Sequence, residues 1–208
     1  MEQVSVRSQA GHHGQIEGRG ATRTSLIIRP VKLISHKNEY LCLIRDISNS
    51  GLSIRSFHTL PDMDVVRLET QTGECYHASK VWQSDRQAGF AFNHSIDVKA
   101  AIANMGTYPK RQPRFGLRFP VVLKSGGQST QGTILNLSQQ GAKLVTPHHL
   151  AIGELVELEA ANLPSLFAKV CWRSDDSYGL IFETRFLMPE FALVAARMQQ
   201  PNLVAQIG

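Results

Sequence analysis

Asp46-Ile47-Ser48-Asn49-Ser50-Gly51 and Asn136-Leu137-Ser138-Gln139-Gln140-Gly141 stand 90 residues apart in a chain of 208. Each reads as a short polar loop, closed by glycine, between two apolar runs. Sliding the chain onto itself by the same 90 residues brings Pro30 onto Pro120, Val31 onto Val121, Leu33 onto Leu123 and Ile44 onto Ile134. Further along, Leu60 meets Leu150, Val66 meets Val156, Leu68 meets Leu158 and Glu69 meets Glu159. Both tryptophans coincide, Trp82 with Trp172, as do Asp85 with Asp175, Gly89 with Gly179 and Phe92 with Phe182. No gap is needed, so the chain is a tandem duplication of a unit of about 80 to 90 residues.

Within a unit, short β-prone runs alternate with turns. In the first they fall near 30–35, 40–47, 51–55, 64–70, 76–83 and 88–92, and in the second near 119–124, 132–137, 142–146, 154–159, 167–172 and 179–183. Strands this short and evenly spaced predict a small antiparallel barrel, because closure removes the edges that strands otherwise expose. A helix is predicted after each set. One runs from Ser95 to Gly106, with a serine cap and a terminal glycine; the other runs from Pro189 to Met198, with proline in its first turn. The fold class is therefore mainly β: two tandem six-stranded antiparallel β-barrels, each followed by a short α-helix.

The remaining sequence divides readily. Residues 1–22 are rich in small and charged residues without hydrophobic period and read as a flexible leader. The first barrel takes 23–106 and the second, with its helix, 114–208. Between them 107–118 is a basic linker bearing prolines, Lys110 and Arg111.

Hydrophobic residues at 42% and charged residues at 19% are those of a folded globular protein. No apolar run approaches the ~18 to 20 residues that cross a bilayer, and the N-terminus lacks the apolar core of a signal peptide. The expected location is cytoplasmic, without membrane insertion. Cys42, Cys75 and Cys171 are scattered and odd in number, as expected of reduced, buried thiols. A net charge of +5 and a pI near 9.3 favour anionic partners. No grouping of residues has metal-ligand spacing, and no nucleophile or phosphate-loop motif occurs. Neither catalysis nor a cofactor is expected.

Arg114-Phe115-Gly116-Leu117-Arg118 precedes the second glycine-closed loop. Paired guanidinium groups match phosphate oxygens and stack on flat rings, so two arginines four apart suit an anionic ligand that carries bases. Arg114, Arg118, Asn136, Ser138 and Gly141 together resemble the signature of the PilZ family, RxxxR followed roughly 20 to 30 residues on by [D/N]xSxxG. The resemblance implies a six-stranded barrel followed by a helix, and cyclic di-GMP as ligand. It also implies that Arg114 and Arg118 bind phosphate and guanine, that Asn136 and Ser138 meet the guanine edge or phosphate, and that Gly141 shapes the turn. Lys110 and Arg111 become possible further contacts.

The first unit departs from that pattern. Asp46, Ser48 and Gly51 are in place, but Thr24 and Ile28 stand where the arginines should be, with Arg29 displaced by one residue. A site of Arg29, Asp46, Ser48 and Gly51 is the weaker candidate. Trp82 and Trp172, inside strand-like runs seven residues before Gly89 and Gly179, are expected to pack in the core. The resemblance points to a cytosolic receptor or adaptor that binds cyclic di-GMP mainly through the second barrel. It would transmit binding by reordering the linker and the domain arrangement toward an effector protein. The alternative is a tandem protein-interaction adaptor that does not bind nucleotide. Nucleic acid is not the expected partner, since aromatics interleaved with basic residues are lacking.

Overall fold

The computed structural model describes residues 24–104 and 112–204. The first barrel comprises β1 (Thr24–Ser35), β2 (Asn38–Ser48), β3 (Gly51–Ser56), β4 (Val65–Glu69), β5 (Cys75–Ser84) and β6 (Gln87–Phe92), followed by α1 (Val98–Asn104). The second comprises β7 (Phe119–Ser125), β8 (Gln128–Ser138), β9 (Gly141–Val145), β10 (Leu155–Ala160), β11 (Leu163–Ser174) and β12 (Ser177–Phe182). It is followed by α2 (Met188–Gln199) and a 3₁₀ turn over Pro201–Leu203. Both sheets close, in the orders β1-β2-β3-β6-β5-β4 and β7-β8-β9-β12-β11-β10, and neighbouring strands run antiparallel. The architecture is the predicted one.

Alternation along each strand builds the two interiors. In β4, Val66 and Leu68 point in while Val65 and Arg67 point out; in β10, Val156 and Leu158 do the same. Val31, Leu33, Cys42, Ile54, Leu68 and Phe90 fill the first barrel, and Leu123, Ile134, Leu144, Leu158, Val170 and Leu180 the second. Burying each such side chain contributes roughly 1.5 to 3 kcal/mol before conformational entropy is charged against it. Gly51 and Gly141 open β3 and β9 where the neighbouring strand passes so close that a Cβ would strike the Phe90 or Leu180 carbonyl. Close approach, rather than a left-handed backbone, is what requires glycine there.

Three expectations need correction. The first helix is capped by Asp97, whose Oδ1 accepts the Lys99 and Ala100 N–H groups at 2.9 and 3.1 Å, and not by Ser95. A carboxylate competes well for the orphan N–H groups of a first turn. Its expected C-terminal Gly106 lies outside the described residues. Of the cysteines only Cys42 is buried, with its thiol pushed up to about 12 by burial; Cys75 and Cys171 are exposed. Both tryptophans are also substantially exposed, at 43% for Trp82 and 41% for Trp172.

The helix α2 closes its own barrel with Phe191, Ala192 and Ala195, and its far end reaches β2 of the first barrel. Leu41 of β2 belongs to the second barrel's core cluster, and Leu203 packs against the first. The two cores are thus stitched together at one edge.

Candidate functional site

One backbone bridge brings the arginine segment to the glycine-closed loop. Phe115 donates its N–H to the Leu137 carbonyl at 2.7 Å and accepts the Leu137 N–H at 2.9 Å. The phenyl ring is completely buried and meets Phe191 edge-on, with centroids 5.1 Å apart. Because Leu137 lies between Asn136 and Ser138, the bridge delivers Arg114 beside both. Arg114 Nη1 donates to Asn136 Oδ1 at 3.4 Å, a long contact on the exposed surface. Arg114 and Arg118 are both exposed.

The loop itself is self-supporting. Ser138 is buried, and its Oγ donates to the Gly141 carbonyl at 3.0 Å, closing the turn. Gln139 is buried too; its Nε2 donates to the Phe186 carbonyl at 3.0 Å, and the Phe186 N–H returns a bond to the Gln139 carbonyl at 2.9 Å. The loop is thereby tied to the chain entering α2.

Outside this loop the barrel wall carries a cleft of about 670 Å³. Gln112, Arg114, Ser138 and Gly141 line it together with Cys171, Trp172 and Gly179. Of the residues expected from sequence, Arg114, Ser138 and Gly141 face the cleft and Asn136 meets it through Arg114. Arg118 is exposed but does not line the cleft, and Lys110 and Arg111 lie outside the described residues.

Trp172 is the site residue that the sequence reading misplaced. Simple alternation from buried Val170 would turn Trp172 inward. The ladder instead shifts register between them, with Val170 opposite Leu180 and Trp172 opposite Gly179. Such a bulge sends the next side chain to the other face. The indole lies directly against Gly179, where no Cβ would fit. The first barrel repeats the device, with a shift between Lys80 and Trp82 and the Trp82 indole against Gly89. The seven-residue spacing of tryptophan and glycine in both units was the available signal.

The weaker site fares differently. Thr24 opposes Ile47 and Arg29 opposes Ile44, whereas Phe115 opposes Leu137 and Phe119 opposes Ile134. Five steps of chain in the first barrel (29 − 24) therefore cover the ladder distance that four cover in the second (119 − 115). Arg29 stands at the level of Phe119, partly buried, with its Nε enclosed and without a hydrogen-bond partner. The Asp46 carboxylate accepts the Ser53 hydroxyl, and Ser48 Oγ donates to the Gly51 carbonyl at 3.2 Å.

Among the described residues no three His, Cys, Asp or Glu side chains converge as a metal site, and no helix is long and apolar enough to cross a membrane.

Residues 109–194 match the family model described as PilZ domain, so the chain carries a PilZ domain. No curated protein matches the chain. Among solved structures it is similar to the Borreliella burgdorferi PlzA protein in complex with c-di-GMP, at 11% identity and a TM-score of 0.34, covering 82% of this chain and 86% of that one. It is also similar to the K. pneumonia MrkH–c-di-GMP complex, at 13% identity and TM-score 0.35, covering 84% and 89%. A third is the Bacillus subtilis inhibitor of motility (MotI/DgrA), at 15% identity and TM-score 0.35, covering 86% and 99%. Scores this low add nothing to what the barrels themselves show.

Proposed function

We propose that the chain is a receptor or adaptor for cyclic di-GMP, with the ligand held by the cleft of the second barrel. Arg114 in the cleft, and Arg118 exposed beyond its edge on the same segment, provide guanidinium forks for the phosphates and for the O6 and N7 acceptors of guanine. Trp172 offers an exposed ring on which a base can stack, while Ser138 lines the cleft and Asn136 meets it through Arg114. The observation that carries this reading is the Phe115–Leu137 bridge, which brings Arg114 into the lining of a cleft that Trp172 also lines. The first barrel, with Arg29 drawn to the level of Phe119, serves as support.

Binding is passed on through the 107–118 segment and the contact between the barrels, because a ligand shifts an arrangement only by binding its alternatives unequally. On the same wall, Leu155 and Ile181 flank Lys169, and Phe167 follows one row along, all three apolar side chains exposed. That row beside the cleft favours an effector protein as the recipient of the signal.

Titration calorimetry of the whole chain with cyclic di-GMP, with GTP as control, tests the proposal. One or two nucleotides bound per chain, and no response to GTP, are expected of a single working barrel. Silence from folded protein would select the adaptor without nucleotide, for which the exposed apolar row is the supporting observation.

A further inference from the structure

Three successive residues of the arginine segment have their backbone groups held, and only the middle one is held by its own barrel. Phe115 is bonded to Leu137, as described. The Arg114 carbonyl accepts from Lys32 Nζ of β1 at 3.0 Å, and the Gly116 N–H donates to Glu39 Oε2 of β2 at 2.8 Å. Both outer anchors come from the first barrel, 82 and 77 residues away in sequence.

These anchors are themselves fixed. Lys32 is buried, with its ammonium 3.4 Å from Glu39 and 3.1 Å from Glu69 and 5.9 Å from the centre of the Phe115 ring. Glu39 is pinned through its backbone by Gln199 of α2. Its N–H donates to Gln199 Oε1 at 2.6 Å, and its carbonyl accepts Gln199 Nε2 at 2.7 Å. Tyr40 beside it donates to Gln200 Oε1 at 3.0 Å. A closed circuit results, running from Lys32 and Glu39 to the arginine segment, through Phe115 to Phe191, and along α2 back to Glu39. The Lys32 bond is partly buried and the Glu39 bond lies at the surface, but both are charge-assisted, and such bonds are directional and stronger than neutral ones, so together they hold the segment to one geometry.

The duplicated unit supplies a control within the molecule. At the 90-residue offset Lys32, Glu39 and Leu41 correspond to Val122, Ser129 and Gln131 on the second barrel. The second barrel thus has neither a lysine nor a carboxylate at the two bracing positions; Val122 is exposed, and the Lys124–Glu159 ion pair beside it lies one row further along the strand. The brace is therefore particular to the first copy and not a feature of the barrel fold.

We infer that Lys32 and Glu39 of the first barrel are positioning residues for the ligand cleft of the second, holding the backbone on which Arg114 and Arg118 are mounted. The inference rests on the cyclic di-GMP reading given above. It assigns the first barrel a part in nucleotide affinity without a nucleotide of its own. A ligand that grips Arg114 and Arg118 also acts on the contact between the barrels, since the same residues carry both.

The test uses the full chain and two readouts. Glu39→Ala removes the acceptor of the Gly116 N–H; it is expected to weaken cyclic di-GMP binding about tenfold and to speed amide exchange at Gly116 before any ligand is added. Glu39→Gln keeps a carbonyl at that position and should recover most of the affinity, which a general loss of packing would not allow. Lys32→Met, which keeps the buried stem but loses the ammonium, should weaken binding in the same sense. Should Glu39→Ala fail to fold, the Glu39→Gln and Lys32→Met pair decides: full affinity in Lys32→Met overturns the inference. Unchanged affinity and unchanged Gly116 exchange in a folded Glu39→Ala protein would also overturn it, while leaving the wild-type binding and the receptor reading intact. No binding by wild type would remove the receptor reading, and the inference with it.

Discussion

The two barrels share strand order, the glycine-closed loop, the bulged tryptophan and the glycine on which it rests. They differ at two places. The strand entering the first barrel carries an extra residue between Ser25 and Arg29, so the chain passes the loop in a different register from Arg114–Arg118. The outer face of the first barrel bears Lys32 and Glu39 where the second bears Val122 and Ser129. Packing fixes what is shared, since Gly51 and Gly141 lie against neighbouring carbonyls and tolerate nothing larger. The differences lie where a strand enters or where a face is turned outward, and there sequence can change without disturbing the core.

The sharpest way to break this comparison is to remove a guanidinium. Arg114→Ala and Arg118→Ala should each lower affinity for cyclic di-GMP by a factor on the order of a hundred, as loss of a charge-assisted phosphate contact implies. Asp46→Ala and Ser48→Ala in the first barrel should change it less than about twofold. Comparable losses from both barrels, measured by calorimetry on folded proteins, would show that the first also binds.

A smaller effect is expected at the tryptophans. Base stacking on an aromatic ring contributes about 1 to 3 kcal/mol, so Trp172→Ala should weaken binding roughly 5- to 150-fold. Trp82→Ala, removing the same ring from the same seat in the other barrel, should leave affinity unchanged. Fluorescence quenching on titration should correspondingly be lost from Trp172→Ala and kept in Trp82→Ala.

The smallest expected difference concerns acid. His58 is fully buried in the first barrel; its Nδ1 is 2.7 Å from the Thr59 carbonyl, and its Nε2 is enclosed without a partner. Burial holds its pKa below the ordinary 6.5, opposed by the Thr59 bond and assisted by Arg86. The neutral ring is thus the folded form, and the unfolded chain takes up the proton first. The resulting stability is fully present above the unfolded pKa near 6.5 and is lost as pH falls through it toward the folded value. Thermal melts should show the first barrel weakening as pH drops below about 6.5, with His58→Leu flattening that dependence. A melting temperature that rises over this range would contradict the assignment.

Most of the fold was legible because the duplication declares itself residue by residue, and alternation such as Val65, Val66, Arg67, Leu68 needs no tertiary information. Part of the cleft was legible as well, since Arg114, Ser138 and Gly141 sit in a recognisable order. Trp172 was read as interior because it sits inside a strand-like run, and the bulge before it breaks the alternation that would turn it inward; Cys171 was read as buried from the odd, scattered cysteine count, which says nothing of the face a residue takes. Lys32 and Glu39 carried no signal at all. A lysine on an outward strand position looks solvated until a segment 82 residues away is found resting on it.

Amide hydrogen exchange of the whole chain, with and without cyclic di-GMP, tests the central claim most directly. Ligand should protect 112–118, 138–142 and 171–181 of the second barrel, and leave 48–52 and 81–91 of the first, which correspond to the last two, unchanged. Equal protection of both sets, or protection of the first alone, would contradict the division between a binding barrel and a supporting one.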